Sequence, residues 1–311
     1  MRVLVTGGAG FIGSHLCEEL LAQGTDVTVL DNFDRYYDPQ KKRKNVQGFL
    51  GQVRMVEGDI RDSEAVHQAL ESVDVVAHLA ARPGVRASLE NPSLYIENNV
   101  GGTQTLLDAM QSRGLNRLVF ASSSSVYGAR SQGPFSEEDL ALEPVSPYAA
   151  TKLSGEHLCH AAHVTWDMSI SCMRLFTVYG PRQRPEMAIH LFSRLTQSGE
   201  SIPRFGRGDS LRDYTYVSDV VDGLIAAIHR PRGFRIYNIG NDSPIELDAL
   251  IGKLSKALGR SIEVQEMPDQ PGDVPRTWAD IRRASLELDY EPKVSLDEGL
   301  ERFVTWLNAD R

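Results

Sequence analysis

The stretch Arg2-Val3-Leu4-Val5-Thr6-Gly7-Gly8-Ala9-Gly10-Phe11-Ile12-Gly13 decides the fold. Its first five residues are mostly aliphatic and β-branched and read as a buried strand, while Ile12–Gln23 carries the pattern of a helix. Gly7, Gly10 and Gly13 lie between the two elements. Their spacing allows a tight turn at the first glycine, close backbone approach to a ligand at the second, and close helix–strand packing at the third. A helix that starts at such a turn presents free N–H groups and the positive end of its dipole, which suit a phosphate. Glycine spacing alone is weak; the strand before it and the helix after it make it a dinucleotide signal.

Outward from this turn, Asp26–Leu30, Val53–Glu57, Val73–Leu79, Arg117–Ala121 and Ser169–Leu175 read as further strands. Ser63–Glu71, Leu94–Arg113 and a segment beginning near Pro147 read as helices, with Gly24 and Gly114 where helix-ending glycines belong. Alternation of this kind predicts an α/β fold, a doubly wound parallel sheet with right-handed crossovers. Beyond Gly180 the pattern loosens as Pro181, Pro185 and Pro203 break the chain. Helices are expected at Met187–Ser198, Val217–His229, Glu246–Leu258 and Leu296–Asn308, with a strand at Ile262–Glu266. We therefore expect residues 1–180 to form a dinucleotide-binding domain to which some later segments return. Residues 181–311 would then make a smaller, partly interleaved C-terminal α/β lobe for the substrate.

Composition narrows the function. No run of about 20 apolar residues exists, so no membrane span is expected. Met1-Arg2-Val3 leads straight into a strand, so no signal peptide is expected either. Cys17, Cys159 and Cys172 are odd in number and widely spaced, as in a cytoplasmic protein rather than a disulfide framework or metal knuckle. A net charge of -9 argues against a nucleic-acid binder. His78, His157 and His190 lack metal-ligand spacing, and no metal is expected.

Asp31 closes the second strand, where a carboxylate accepts hydrogen bonds from adenosine ribose hydroxyls and repels a 2′-phosphate, favouring NAD over NADP. The basic group Lys41, Lys42, Arg43 and Lys44 reads as a solvated face, although it could reach such a phosphate. Phe11 and Ile12 continue the glycine turn, and Asp59-Ile60 and Leu79-Ala80-Ala81 close later strands on the cofactor side.

A second constellation carries chemistry. Ser122–Ser125 ends a strand, and Tyr148 and Lys152 lie four apart on one face of the helix that Ser146-Pro147 starts. A free phenol, with a pKa near 10, is mostly protonated at neutral pH. Lys152 and the positive nicotinamide are expected to favour the phenolate, while Ser123 holds the reacting hydroxyl.

With these residues in place, the chain resembles the extended short-chain dehydrogenase/reductases. The resemblance runs through Gly7–Gly13, Asp31-Asn32, His78–Ala81, Asn98-Asn99-Val100, Ser122–Gly128, Tyr148–Lys152, Arg212-Asp213-Tyr214 and Pro271-Gly272-Asp273. It implies a Rossmann-type domain holding NAD throughout turnover, with Asn32 and Asn98 beside the cofactor. Ser123, Tyr148 and Lys152 are the implied catalytic positions, and the second lobe is implied to bind a nucleotide sugar. A homodimer is implied as well, through a four-helix interface built from Leu94–Arg113 and Tyr148–Ala162.

Related nucleotide-sugar dehydratases carry an Asp-Glu pair after the catalytic Ser/Thr, and related decarboxylases a Glu at the second position. Ser124 and Ser125 stand there instead, leaving reversible oxidation at one sugar carbon, a 4-epimerisation. Asp31–Asp38, Ala81–Val85, Thr177–Ala188 and Gln270–Val274 are similar to the UDP-glucuronate 4-epimerase branch. By that similarity Arg184, Thr177 and Ser125 hold the sugar carboxylate, with Ser124 and Met187 beside them; a guanidinium can grip a carboxylate bidentately. Glu186 stands where the branch pattern has Asp. Arg212 is implied at the diphosphate, and Asp273 and Gln270 at the uridine end, although Gln270 replaces an arginine common in UDP-galactose epimerases. The competing readings are a UDP-glucose/UDP-galactose 4-epimerase and a catalytically silent NAD-binding sensor module.

Overall fold

The computed structural model of the chain describes residues 1–310. Six strands of the central sheet come first: β1 (Arg2–Thr6), β2 (Asp26–Asp31), β3 (Arg54–Glu57), β4 (Val75–His78), β5 (Arg117–Ser123) and β6 (Ser169–Leu175). Short strands β7 (Thr177–Tyr179), β8 (Ile202–Phe205), β9 (Leu211–Arg212) and β10 (Tyr214–Tyr216) follow. β11 (Phe234–Ile239) then returns to the sheet as its seventh strand, in the order β11-β6-β5-β4-β1-β2-β3 with every pair parallel. The direction of strand addition reverses between β1 and β4. A crevice at the carboxyl ends of these two strands is where an open α/β sheet binds ligands.

Alternation along β1 feeds two core layers. Val3 and Val5 are fully buried with Leu16 and Leu20 of α1 (Phe11–Ala22), while Leu4 faces the opposite layer. That second layer takes Val66 from α3 (Ser63–Ala69), which follows α2 (Pro39–Gln47) in the chain. It also holds Leu106 and Met110, from the helical stretch before β5, and Cys159 of the long helix Pro147–Trp166. Each fully buried leucine contributes a few kcal/mol, since truncation to alanine costs roughly 2–5 kcal/mol.

The predicted single helix Leu94–Arg113 is instead three pieces. After α4 (Val85–Glu90), Asn91 accepts a hydrogen bond from Leu94 N at 3.3 Å and starts α5 (Pro92–Tyr95). A π-turn at Ile96–Gly101 comes next, then α6 (Gly102–Ser112). Side chains enter the widened ladder: Asn98 Nδ2 donates to Leu94 O at 2.9 Å and Thr103 Oγ1 to Asn99 O at 2.6 Å. Such π-turns recur where a helix must turn side chains toward a site.

Ser146 caps α7 (Pro147–Trp166) by accepting from Ala149 N at 3.1 Å. The later helices are α8 (Ala188–Gln197), α9 (Val217–His229), α10 (Leu247–Leu258), α11 (Arg282–Leu288) and α12 (Leu296–Ala309). α9 packs on α1, so this part of the chain also covers a face of the main sheet. β12 (Ile245–Glu246) pairs with β9, and β13 (Val264–Met267) with β8. Among the described residues no helix is long and apolar enough to cross a membrane, and Cys17, Cys159 and Cys172 are all free and buried.

Candidate active site

A cleft of about 450 Å³ opens at the carboxyl end of the sheet. Its first wall is the glycine turn. Gly7 has φ +72°, and a Cβ there would lie 2.8 Å from Ala80 N; at Gly13 a Cβ would fall 2.2 Å from Gly7 O. Gly10 caps α1 with no side-chain bond, which leaves the first N–H groups of the helix facing the cleft for a diphosphate. Asp31 accepts from Ala9 N at 3.1 Å and Phe33 N at 2.8 Å, tying the turn to the end of β2. This cradle fits a dinucleotide.

Lys42 departs from the solvated basic face expected of Lys41–Lys44. It is buried in the cleft wall, its Nζ 3.8 Å from Asp31 Oδ1 and lying over the Tyr37 ring. The neighbouring charges are used elsewhere: Arg43 pairs with Glu57 at 3.0 Å and Lys44 with Asp310 at 2.5 Å. α2 produces the split, because a helical turn sends adjacent residues in different directions.

Gly7, Gly10, Phe11, Ile12, Gly13, Asp31, Asn32, Ile60, Leu79, Ala80, Ala81 and Asn98 all line the cleft. Asp59 does not. It accepts from Asn32 Nδ2 at 2.9 Å and is gripped by Arg61, whose hydrogen bonds bring its carboxyl down to about 2.

Ser123, Tyr148 and Lys152 meet in the middle of the cleft. Ser123 Oγ, at the end of β5, accepts from Ser125 N at 3.2 Å and Ser125 Oγ at 2.9 Å. Tyr148 stands edge-on to Tyr95, ring centres 6.4 Å apart. Burial pushes its phenol above the ordinary value, against the charge of Arg184 and a hydrogen bond with Ser123. Lys152 does not relieve the phenol as the sequence suggested. Its Nζ donates to Ala121 O at 2.6 Å and lies over the Phe120 ring. Burial brings its pKa down to about 8, with the Cys159 and Glu156 charges opposing. In this arrangement Arg184 and Ser123, not Lys152, favour the phenolate.

A buried network lies beneath. Glu156, one turn after Lys152, accepts from Ser122 Oγ at 2.5 Å and from Arg174 at 2.9 and 2.7 Å. Arg174 in turn stacks over Tyr127. The pair joins α7 to β5 and β6 directly below the reacting groups.

Ser124, Ser125, Thr177, Arg184, Met187, Arg212 and Asp273 also line the cleft. Arg184 is not a loose surface residue. Arg182 pairs with Glu18 at 2.7 Å, Gln183 Nε2 donates to Val178 O at 3.2 Å, and His190 Nδ1 meets Gln183 O at 2.6 Å. These contacts hold the chain just before Arg184, and just after it Met187 N donates to Arg184 O at 3.1 Å. Arg212 Nη1 donates to Leu211 O at 2.9 Å, and the next residue, Asp213, anchors the backbone there through a buried carboxylate that accepts from Asn241 N, Asp242 N and Ala279 N. Gln270 does not line the cleft, and Asp273 pairs with Arg86 at 2.8 Å.

Sequence reasoning missed Tyr36, Tyr37, Arg82 and Thr277 in the walls. Arg82 is seated by Asn99, whose Oδ1 accepts from Arg82 N at 2.7 Å while its Nδ2 donates to Arg82 O at 3.0 Å. Asn99 stands in the π-turn that no periodicity rule anticipates. The available signals were the run of aromatic and acidic residues after β2, which holds Tyr36 and Tyr37, and the Ala81–Val85 segment, which holds Arg82.

Residues 3–240 match the NAD dependent epimerase/dehydratase family. The chain is 41% identical to a UDP-glucuronate 4-epimerase of Thermodesulfobacterium geofontis, over 97% of this chain and 95% of that one. Among solved structures, the UDP-glucuronic acid 4-epimerase from Bacillus cereus in complex with UDP-glucuronic acid and NAD superposes with a TM-score of 0.95. That pair is 39% identical and covers 100% of both chains. The UDP-glucose 4-epimerase of Thermus thermophilus, in complex with NAD, gives a TM-score of 0.91 at 34% identity over 99% of each chain.

Proposed function

The chain belongs to the NAD dependent epimerase/dehydratase family, and on that premise we propose that it is a UDP-glucuronate 4-epimerase, interconverting UDP-glucuronate and UDP-galacturonate through a 4-keto sugar. The glycine cradle and Asp31 would hold NAD, which would supply the hydride chemistry. Tyr148 takes the proton of the C4 hydroxyl and gives it back after the sugar has turned over. Ser123 orients that hydroxyl. Lys152 fixes the helix that carries Tyr148 against the end of β5 through its bond to the Ala121 carbonyl. Arg212 and Asp273 serve the nucleotide end, and residues 181–311 act mainly as the nucleotide-sugar lobe beside the cofactor domain, residues 1–180.

The observation that carries the reading is Arg184 in the cleft wall with Thr177, Ser124 and Ser125, its charge acting on Tyr148. A cation beside the reacting phenol suits an acidic sugar. Ser124 and Ser125 can donate to its carboxylate but cannot supply the acid and base that elimination of water requires. Anchoring matters chemically, because a β-keto acid loses CO₂ once its carboxylate moves freely. We read the protein as a cytoplasmic homodimer paired through α5, α6 and α7.

Competition between UDP-glucuronate and UDP-glucose, run on the parent and on Arg184→Ala, tests this reading. The parent should prefer the acidic sugar, and the variant should lose that preference by about tenfold or more, the scale of a charge-assisted pair. A parent that prefers the neutral sugar would overturn it.

A further inference from the structure

Arg184 and Glu186 flank Pro185, and Arg184 Nε donates to Glu186 Oε1 at 2.6 Å. The two differ in placement. Arg184 lines the cleft, whereas Glu186 is exposed and does not line it. Among the described residues, the Nη1 and Nη2 atoms of Arg184 make no hydrogen bond within the chain. A guanidinium can meet a carboxylate through its Nη pair or through Nε and one Nη. With the Nε edge taken by Glu186, the Nη pair is the fork left for the cleft.

We propose that Glu186 is a positioning residue for recognition of the sugar carboxylate: it holds the Nε edge of Arg184 and so turns the Nη fork toward the uronic acid. The inference rests on the epimerase reading above and deepens it. Fixing one edge in advance reduces the rotamer freedom that arginine loses on binding. The loop backbone is pinned independently by the Arg182–Glu18, Gln183–Val178 and His190–Gln183 contacts. The Glu186 contact therefore governs the side-chain rotamer rather than the course of the loop.

A carboxylate out of place has a defined chemical consequence. At the 4-keto stage the C5–C6 bond breaks, its electron pair enters the C4–C5 enolate, and CO₂ leaves. A proton returns to C5, and hydride return at C4 gives a UDP-pentose. The fraction of turnovers ending as UDP-pentose thus reports how firmly the carboxylate is held, which a merely structural role would not change.

The test compares the parent with Glu186→Ala and Glu186→Gln, measuring KM for UDP-glucuronate, KM for UDP-glucose, and the UDP-pentose fraction. Glu186→Ala should raise KM for the acidic sugar by about tenfold, on the order of one lost charge-assisted bond. It should also increase the UDP-pentose fraction and leave KM for the neutral sugar near that of the parent. Glu186→Gln still offers an acceptor to Nε and should fall between the two. Parent-like KM and UDP-pentose fraction in Glu186→Ala would overturn the positioning role while the epimerase reading stands. A parent that does not epimerise UDP-glucuronate would sink both.

Discussion

The Lys152 ammonium donates to the Ala121 carbonyl at 2.6 Å, joining α7, which carries Tyr148, to β5, which ends in Ser123. Together with the Ser122–Glu156 bond it fixes how the two elements that carry Tyr148 and Ser123 meet. The position of Lys152, four residues after Tyr148, was legible in the sequence. Its partner was not, because only the fold brings residue 121 under the helix.

Burial holds the Lys152 pKa at about 8, below the ordinary 10.5. Between those values the unfolded chain binds a proton that the folded chain does not, so this group makes the protein more stable as pH rises through that window. Below about pH 8 the buried ammonium is charged in both states and its contribution is least favourable. Lys152→Met removes the effect. The stability of the parent minus that of the variant, from urea unfolding, should rise by roughly 1–3 kcal/mol between pH 8 and 10.5. Turnover of the variant at pH 7 should fall at least about a hundredfold. A stability difference that is flat with pH would contradict this account of Lys152.

At Gly13 a Cβ would sit 2.2 Å from Gly7 O and 2.8 Å from Gly8 Cα, both backbone atoms that cannot swing aside. Gly13→Ala must therefore open the turn or push α1 away from β1. The expected result is NAD affinity reduced by about a hundredfold, the scale of a misplacement of about 1 Å. Destabilisation of about 1–3 kcal/mol should accompany it, as for overpacking. Calorimetric titration with NAD and a thermal melt measure the two; parent-like values would mean that the cradle tolerates a methyl group.

Glu156 and Arg174 are 3% and 2% exposed, and Ser122 is bonded to the same carboxylate. Removing one charge leaves the other buried and unmatched, so Glu156→Gln should cost about 3–5 kcal/mol in urea unfolding. The double variant Glu156→Leu with Arg174→Met should recover most of that loss, because an apolar pair of similar volume needs no desolvation of charge. A double variant no more stable than Glu156→Gln would show that the network matters for more than its own neutralisation.

How far the sequence could be read follows from which interactions are local. β1, the glycine turn, β6 and α9 were legible because period, length and bounding residues all agreed. The capped start of α7 was legible for the same reason, from Ser146 and Pro147. α2 was missed because Lys41–Lys44 looked like solvated charge, and the burial of Lys42 depends on Asp31 and Tyr37. β11 is an edge strand chosen by its register with β6, Phe234 opposite Ile170, which no local signal announces. The π-turn likewise needs Asn98 and Thr103 to meet particular carbonyls. In the cleft, residues on the glycine turn and strand ends could be placed by spacing. Asp59 was drawn instead to Arg61, a partner only two residues away.

The most direct measurement follows deuterium placed at C4 of UDP-glucuronate. If Tyr148 and the bound cofactor remove and return the proton and hydride at one carbon, the UDP-galacturonate formed keeps the deuterium at C4 and no free reduced cofactor accumulates. Product that has exchanged C4 deuterium for solvent hydrogen, or turnover that ends in UDP-pentose alone, would contradict it.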